Sequence, residues 1–263
     1  MNKNFNIEGQ SVIITGGAGL LGSKHAEAVA EIGGIPILFH SNFNAAKKIS
    51  QKIEKKFSVM CFPFKGDATK ENDIKNLVKF MIKKKLKFYG LINNVASNPA
   101  INKKNKNEFE KFPLKNWNSE LNIGLTSYFL FSKIIGEKMV KNKKGVIINI
   151  SSDLGIISPD QRLYKNNFKK PATYSVIKHG IIGLTKYLAT YWGKEGLRVN
   201  CLCPGGVYDN QDKTFVNKIE KLIPIGRMAN TSEYKGAIQF MISNASSYMN
   251  GATLVIDGGR TIW

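Results

Sequence analysis

Apolar residues along this chain fall into short continuous runs, separated by longer stretches in which they recur every three or four positions. The runs SVIITGG at 11–17, IPILFH at 35–40, SVMCFPF at 58–64, FYGLINN at 88–94, GVIINIS at 145–151, LRVNCLCPG at 197–205 and ATLVIDGG at 252–259 are strand-length. The stretches LGSKHAEAVAEIG, NAAKKISQKIEKKF, ENDIKNLVKFMIKK, 116–141, 173–193 and TSEYKGAIQFMIS have helical spacing, and Gly33 with Gly34 stops the first of them. Strands that alternate with helices need crossover connections. The pattern therefore predicts a parallel sheet of about seven strands with helices on both faces, and strands apolar on both sides. No repeat, linker or low-complexity tail interrupts it, so residues 1–263 are expected to form one doubly wound α/β domain. Ligands of such sheets bind beyond the carboxyl ends of the strands, and the chemistry-bearing motifs below all fall there.

Composition changes this picture little. The 263 residues suffice for a substantial core. The net charge of +20, from 39 basic and 19 acidic residues, would raise nucleic acid as a partner. However, the basic residues are nearly all lysine, with arginine only at 162, 198, 227 and 260. That reads as a generic basic surface that attracts anions, with no nucleic-acid partner expected. Cys61, Cys201 and Cys203 are too few and too uneven for a disulfide scaffold. With histidine only at 25, 40 and 179, no metal site is expected. No apolar run is long enough to span a bilayer, and MNKNFNIEGQ has no apolar signal core. A soluble, cytoplasmic protein without a membrane partner is expected.

The turn TGGAGLLG at 15–22 joins the first strand to the first helix. Gly16 permits a tight turn, Gly19 lets a phosphate approach the backbone, and Gly22 lets helix and strand pack closely. The helix N-terminus then offers free N–H groups and positive dipole to a diphosphate. Placed after the first strand of an alternating pattern, the triad predicts dinucleotide binding on a Rossmann-type sheet.

From here the chain resembles the short-chain dehydrogenase/reductase family almost end to end. GDATKENDI at 66–74, NNVA at 93–96, LNIG at 121–124, INISS at 148–152, YSVIK at 174–178, PGG at 204–206 and GATLVIDGG near the end carry the resemblance. Two details depart from it. The glycines are spaced TGxxGxxG, with Leu20 where the compact branch of the family has glycine, and Ala96 replaces the last glycine of an NNAG motif. The resemblance implies a cofactor site comprising Gly16, Gly19, Leu21, Gly22, His40, Ser41, Asn42, Asp67, Ala68, Asn94, Ala96, Tyr174, Lys178, Pro204, Gly205 and Val207, with Asp67 capping the adenine.

It also implies a catalytic tetrad of Asn122, Ser152, Tyr174 and Lys178. Tyr174 and Lys178 are one helical turn apart, on one face. Hydride exchange between nicotinamide and a carbonyl needs a proton donor for the developing alkoxide, and the reverse reaction needs a base. A free tyrosine titrates about three units too high for base work at neutral pH, a gap of about 4 kcal/mol. An ammonium about 4 Å away supplies energy of that order at an effective dielectric of about 20. Tyr174 is thus the expected acid/base and Lys178 the residue that lowers its pKa and holds the nicotinamide ribose. Ser152 is expected to bond the substrate oxygen, with Ser151 as its rival, and Asn122 to position a relay water.

The second strand ends HSN, with no acid to repel a 2′-phosphate. Neutral recognition by His40, Ser41 and Asn42, with Lys47 or Lys48 near, favours NADP(H) over NAD(H). The surplus residues near 158–170 are expected to insert above the site, where Arg162 and Tyr164, with Lys165, Lys169 and Lys170, would suit an anionic substrate. The segment near 206–220 is expected to form a lid. The resemblance to members from bacterial surface-glycan and flagellin-modification pathways suggests a sugar or nucleotide-sugar substrate. A 3-oxoacyl-carrier-protein reductase and a catalytically inactive dinucleotide-binding interaction protein are the competing readings. Apolar residues in the helices 116–141 and 173–193, among them Tyr128, Phe129, Phe131, Leu184, Tyr187 and Trp192, predict a homo-oligomer, expected to be a tetramer.

Overall fold

The computed structural model describes residues 2–96, 107–166 and 168–263. Seven strands are described: β1 (Ser11–Thr15), β2 (Ile35–His40), β3 (Phe62–Lys65), β4 (Gly90–Asn93), β5 (Gly145–Ile150), β6 (Leu197–Pro204) and β7 (Thr253–Ile256). They form one sheet in the order β3-β2-β1-β4-β5-β6-β7, every neighbouring pair parallel. The helices are α1 (Leu20–Glu31), α2 (Phe43–Phe57), α3 (Glu71–Lys83), α4 (Leu114–Leu121), α5 (Ser127–Lys141), α6 (Ala172–Trp192), α7 (Lys213–Glu220) and α8 (Lys235–Ile242). The period of two along the strands distributes their apolar side chains to both faces. Val12, Ile14, Leu38, Ile148 and Ile150 join Val29, Ile53, Ile238 and Met241 from α1, α2 and α8. Ile13, Ile37, Phe39 and Ile147 join Leu77, Met81, Phe131, Ile135 and Leu188 from α3, α5 and α6. The chain reverses its winding between β1 and β4, and the ends of those strands open a cleft there.

Three elements differ from the sequence pattern. The helix expected over 116–141 is interrupted by a π-helical turn, Asn122–Thr126, in which the Ser127 N–H donates to the Asn122 carbonyl. The third strand starts only at Phe62, because Ser58 ends α2 in the left-handed region at φ 56°. The polar segment after β6 contains α7, started by the Asp212 side chain accepting from the Thr214 N–H. All three cysteines are buried and free.

A polar seam runs through the central strands. Asn93 donates to Asn149 at 2.9 Å, and Asn149 donates to the Thr185 hydroxyl at 2.9 Å, joining β4, β5 and α6. On α1, His25 is fully buried, and burial holds its pKa down to about 4 although Asn94 opposes the shift. An imidazole depressed in the folded state contributes stability above its unfolded pKa of about 6.5 and loses it as pH falls toward 4. From pH 7 to pH 4.5 the loss from this residue is about 2.5 kcal/mol. Denaturant unfolding at both pH values should show His25→Leu losing less stability by about that amount than the parent chain; equal losses would refute the assignment.

Candidate active site

The β1–α1 turn forms one wall of the cleft. Gly16 sits at φ +65°, and a Cβ at Gly22 would lie 2.2 Å from the Gly16 carbonyl oxygen, so the helix start packs directly on the turn. Gly19 is the N-cap of α1. It brings no capping side chain, and no acid occupies the first turn. The helix end therefore faces the cleft with its N–H groups available to a diphosphate. Asn94 bolts this turn to β4, its backbone N–H donating to Thr15 Oγ1 at 2.9 Å and its amide to the Thr15 carbonyl at 3.0 Å.

The cleft has a volume of about 1010 Å³, and Gly16, Gly19, Leu21, His40, Ser41, Asn94, Ala96, Ser152, Tyr164, Tyr174, Lys178, Pro204, Gly205 and Val207 all line it. Several expected residues do not. Gly22 lies behind the turn. Asn42 caps α2 by accepting from the Ala45 N–H, while its own N–H donates to His40 Nδ1 at 3.0 Å. The Asp67 carboxylate is turned onto Thr69, accepting from its N–H and its hydroxyl, and Ala68 follows it out of the cleft wall.

The reactive centre is built where the end of β5 meets the first turns of α6. Ser151 Oγ donates to the Lys178 carbonyl at 2.7 Å and is committed to holding the helix. Both serines line the cleft, and Ser152 is the one beside the Tyr174 phenol. Ser152 Oγ donates to Asp153 Oδ1 at 2.7 Å and lies within hydrogen-bonding reach of the Tyr174 phenol. Lys178 is buried, and its Nζ donates to the Ile150 carbonyl at 3.1 Å. Asn122, by contrast, is exposed on its π-turn and does not line the cleft. Among the described residues its amide makes no hydrogen bond to Lys178.

The electrostatics differ from the sequence expectation. Tyr174 is held above its ordinary pKa, first by burial, with the Ser152 hydrogen bond opposing and the Asp153 charge adding. Lys178 does not bring it down in this form. Its own pKa is pushed to about 8 by burial, and its Nζ lies 5.7 Å from the ring centroid. A second cation comes from the insertion, as expected of Lys170: its Nζ sits 3.8 Å over the Tyr174 ring, its pKa also lowered to about 8 by burial. A third is Arg260, whose Nη1 pairs with Asp153 Oδ2 at 2.6 Å, both side chains about 5% exposed or less. Neither the Asp153 partnership nor the placement of Arg260, more than a hundred residues away, has a local signal in the chain.

The insertion and the lid segment meet over the cleft. Of the insertion, residue 167 lies outside the described residues. Leu163 packs with Ile219, Ile223 and Met228 in a small cluster, and the Tyr164 ring lies 5.8 Å from Phe215. Lys165 pairs with Asp212 at 2.8 Å, and Lys218 donates to the Arg162 carbonyl at 2.9 Å. Arg162 itself does not face the cleft. Its side chain is 88% exposed, because Asp160, two residues earlier, takes its guanidinium in a two-pronged pair at 2.9 and 2.8 Å.

A parallel sheet reversing at β1 and β4, a glycine turn at the helix end, and a serine, tyrosine and lysine beside it define a dinucleotide-dependent oxidoreductase. The chain belongs to the short-chain dehydrogenase/reductase family: the family model described as enoyl-(acyl carrier protein) reductase matches residues 18–261. Such enzymes use NAD(P) and act on CH–OH and C=O groups. The chain is 30% identical over 265 residues to a 2-dehydro-3-deoxy-D-gluconate 5-dehydrogenase of Bacillus subtilis, covering 98% of this chain and 97% of that protein. It is 28% identical over 254 residues to post-translational flagellin modification protein A of Campylobacter coli, covering 96% and 98%. A short-chain type dehydrogenase/reductase from Mycobacterium marinum superposes with a TM-score of 0.87 at 25% identity, covering 98% of this chain and 97% of that one.

The two serines separate by experiment. Ser151→Ala removes the side-chain hydrogen bond that pins α6 at the Lys178 carbonyl and should lower stability by about 0.5–1.5 kcal/mol. Ser152→Ala, which also loses the hydrogen bond to Asp153 and the cap of Leu154, should lower kcat/KM by about 10²-fold, far more than Ser151→Ala does. Melting curves and steady-state rates on both variants check this, and a reversed pattern would assign the reactive position to Ser151.

Proposed function

We propose that this enzyme interconverts a secondary alcohol of a sugar or polyol and the corresponding ketone, with NADP(H) preferred, in the cytoplasm. The observation that carries the reading is the convergence of Ser152, Tyr174 and Lys178 in one cleft beneath an open helix N-terminus. The dinucleotide, when bound, supplies or accepts the hydride. Gly16, Gly19, Leu21 and Asn94 would hold its diphosphate side, and Pro204, Gly205 and Val207 its nicotinamide side. His40 and Ser41 would meet the adenosine ribose, where no carboxylate opposes a 2′-phosphate.

Tyr174 is the proton donor and acceptor at the substrate oxygen, and Ser152 the hydrogen-bonding partner of that oxygen. Burial keeps the phenol protonated at neutral pH, the form that reduction needs. Oxidation needs the phenolate, whose population rises about tenfold per pH unit below the phenol pKa. Lys178, fixed on the Ile150 carbonyl, is placed to hold the ribose and to carry positive charge beside the phenol. The names of the relatives, one a sugar-acid dehydrogenase and one a flagellin-modification protein, support a carbohydrate substrate. A reductase of carrier-bound acyl groups is the second reading, favoured by the description of the matching family model and by the basic surface.

With a polyol substrate, kcat/KM for oxidation should climb with pH through 6–9. Tyr174→Phe should lower turnover about 10³-fold while cofactor Kd stays within a factor of about two. Calorimetry at one fixed salt concentration should show NADPH binding more tightly than NADH. Tighter NADH would overturn the cofactor choice, and retained turnover in Tyr174→Phe would overturn the acid/base assignment.

The assembly proposed is a homotetramer paired through α5 and α6. Tyr128 and Phe131 are buried in the core of the subunit, but Phe129 is 50%, Tyr187 61% and Tyr191 64% exposed on those helices, with Tyr187 and Tyr191 stacked. Sedimentation should give a tetramer, and Phe129→Asp with Tyr187→Asp should yield smaller species; a monomeric parent chain would refute this.

A further inference from the structure

Two acceptors compete for the one proton of Ser152. A hydroxyl has one donor and two lone pairs. The Ser152 O–H donates to Asp153 Oδ1 at 2.7 Å, and the Leu154 N–H takes one lone pair of Ser152 Oγ at 3.1 Å. One lone pair remains for the cleft. In this form Ser152 can accept from the Tyr174 phenol but cannot donate to a phenolate. Asp153 is held in place by two further donors. Its Oδ1 also accepts from the Leu154 N–H at 2.8 Å, and its Oδ2 accepts from Arg260 Nη1 at 2.6 Å. Carboxylate and guanidinium are both buried, and both line the cleft. Arg260 reaches Asp153 from the segment after β7, 107 positions along the chain.

We propose that Asp153 is a positioning residue for the acid/base: by claiming the one proton of Ser152 it withholds a donor from the Tyr174 phenolate, and with Arg260 as its counter-charge it sets the upper pH limit of carbonyl reduction. The proposal rests on the oxidoreductase reading and names a regulator of that same site. Two effects of the carboxylate act in one direction. It occupies the Ser152 proton, and its own charge disfavours a second anion beside it. Arg260 opposes the second effect by offsetting that charge. The causes at the phenol agree: burial raises its pKa most, the Ser152 bond opposes and the Asp153 charge adds. Reduction uses the phenol form and is lost as the phenol ionises. Removing the carboxylate therefore moves that loss to lower pH, and removing the guanidinium moves it to higher pH.

The other titratable groups facing Tyr174 are Lys178 on its own helix, Tyr128 of α5, and Lys170 and Tyr164 of the insertion. Cys201 and Cys203 of β6 lie by Lys178, and Glu120 of α4 lies in the field of Lys170. Asp153 also faces Lys170, Tyr164 and Tyr234. Two further acids complete the surroundings. Asp160 lies in the field of Arg260, and Asp257, near Tyr234, accepts from the Gly259 and Thr261 N–H groups. All of these groups are retained in the variants below, so a difference between variants belongs to Asp153 or Arg260.

The test is a phenolate titration by ultraviolet absorbance on the full chain without cofactor. The chain has nine tyrosines, so each variant is read against the same variant carrying Tyr174→Phe, with circular dichroism showing a folded chain at every pH. Asp153→Asn, which keeps an acceptor for Leu154 and Arg260, should lower the Tyr174 midpoint by about one pH unit or more. Arg260→Gln, which keeps a donor for Asp153, should raise it by about half a unit or more. A purely structural role gives a different pattern: loosening at either residue admits water and moves both midpoints down toward that of free tyrosine. Where Asp153→Asn alone does not fold, the double variant Asp153→Asn with Arg260→Gln is compared with Arg260→Gln and should titrate about one unit lower. No downward shift on removing the carboxylate, or shifts of the same sign in both single variants, overturns the proposal. In turnover, the kcat/KM profile for reduction should fall off at correspondingly lower pH in Asp153→Asn. The titration needs no turnover, so a chain that reduces no carbonyl refutes the reaction alone, and the titration still decides the part played by Asp153.

Discussion

The site depends on how α6 is seated against the end of β5. Three buried polar bonds cross that contact: Asn149 to Thr185, Ser151 to the Lys178 carbonyl, and Lys178 Nζ to the Ile150 carbonyl. Apolar packing alone tolerates a helix sliding by a few tenths of a turn, but a buried donor that misses its acceptor costs about 1–3 kcal/mol. The three bonds therefore select one register. In that register the first turn of α6 carries Tyr174 to Ser152. The Ile150 carbonyl also accepts from Tyr128 of α5 at 3.0 Å, so the same atom locates two helices. Lys178 consequently has a structural task that precedes any chemical one, and its substitution removes both.

The fold was legible because its signal is local and repeated. Each strand is a short apolar run, and each intervening helix has an apolar stripe, so the parallel sheet with helices on both faces follows with little else, whereas the strand order does not. The strand-to-helix turn marks Gly16, whereas Ser152, Tyr174 and Lys178 are expected from the family resemblance; all four line the cleft. What was not legible depends on side chains meeting across the fold. The Asn93–Asn149–Thr185 seam spans 92 positions from Asn93 to Thr185, and nothing near any of these residues announces the others. Arg162 and Arg260 look alike in the sequence; only the fold shows that one folds back onto Asp160 and the other enters the cleft.

Asn122 shows the same limit within a single helix. The spacing over 116–141 is helical throughout, and it is. The π-turn adds a residue to one turn without changing the apolar pattern enough to be seen. Wide turns of this kind often accompany functional sites because they turn a residue away from the regular ladder. Here Asn122 is exposed on the turn and does not line the cleft. The relay role implied by resemblance would run through a water, since no direct hydrogen bond joins Asn122 to Lys178 among the described residues.

Asp153 connects the serine at the end of β5 to the C-terminal segment. One carboxylate oxygen takes the Ser152 hydroxyl and the Leu154 N–H, and the other takes Arg260. The serine is thus oriented by a residue whose charge is balanced from the far end of the chain. An unpaired carboxylate at this depth would be strongly disfavoured, so Asp153 can sit beside the reactive serine only because Arg260 is there. Conversely, Arg260 can stand in the substrate cleft without destabilising the fold only because Asp153 holds one of its arms. The insertion and α7 cover the same space and bring Lys170 to the ring of Tyr174. The seating of α6 on β5 sets where Ser152, Tyr174 and Lys178 stand, whereas the insertion and the C-terminal segment bring Lys170 and Arg260 to the same cleft. Among the described residues Asp153 touches both sets of groups, taking the Ser152 hydroxyl at the end of β5 and Arg260 from the C-terminal segment.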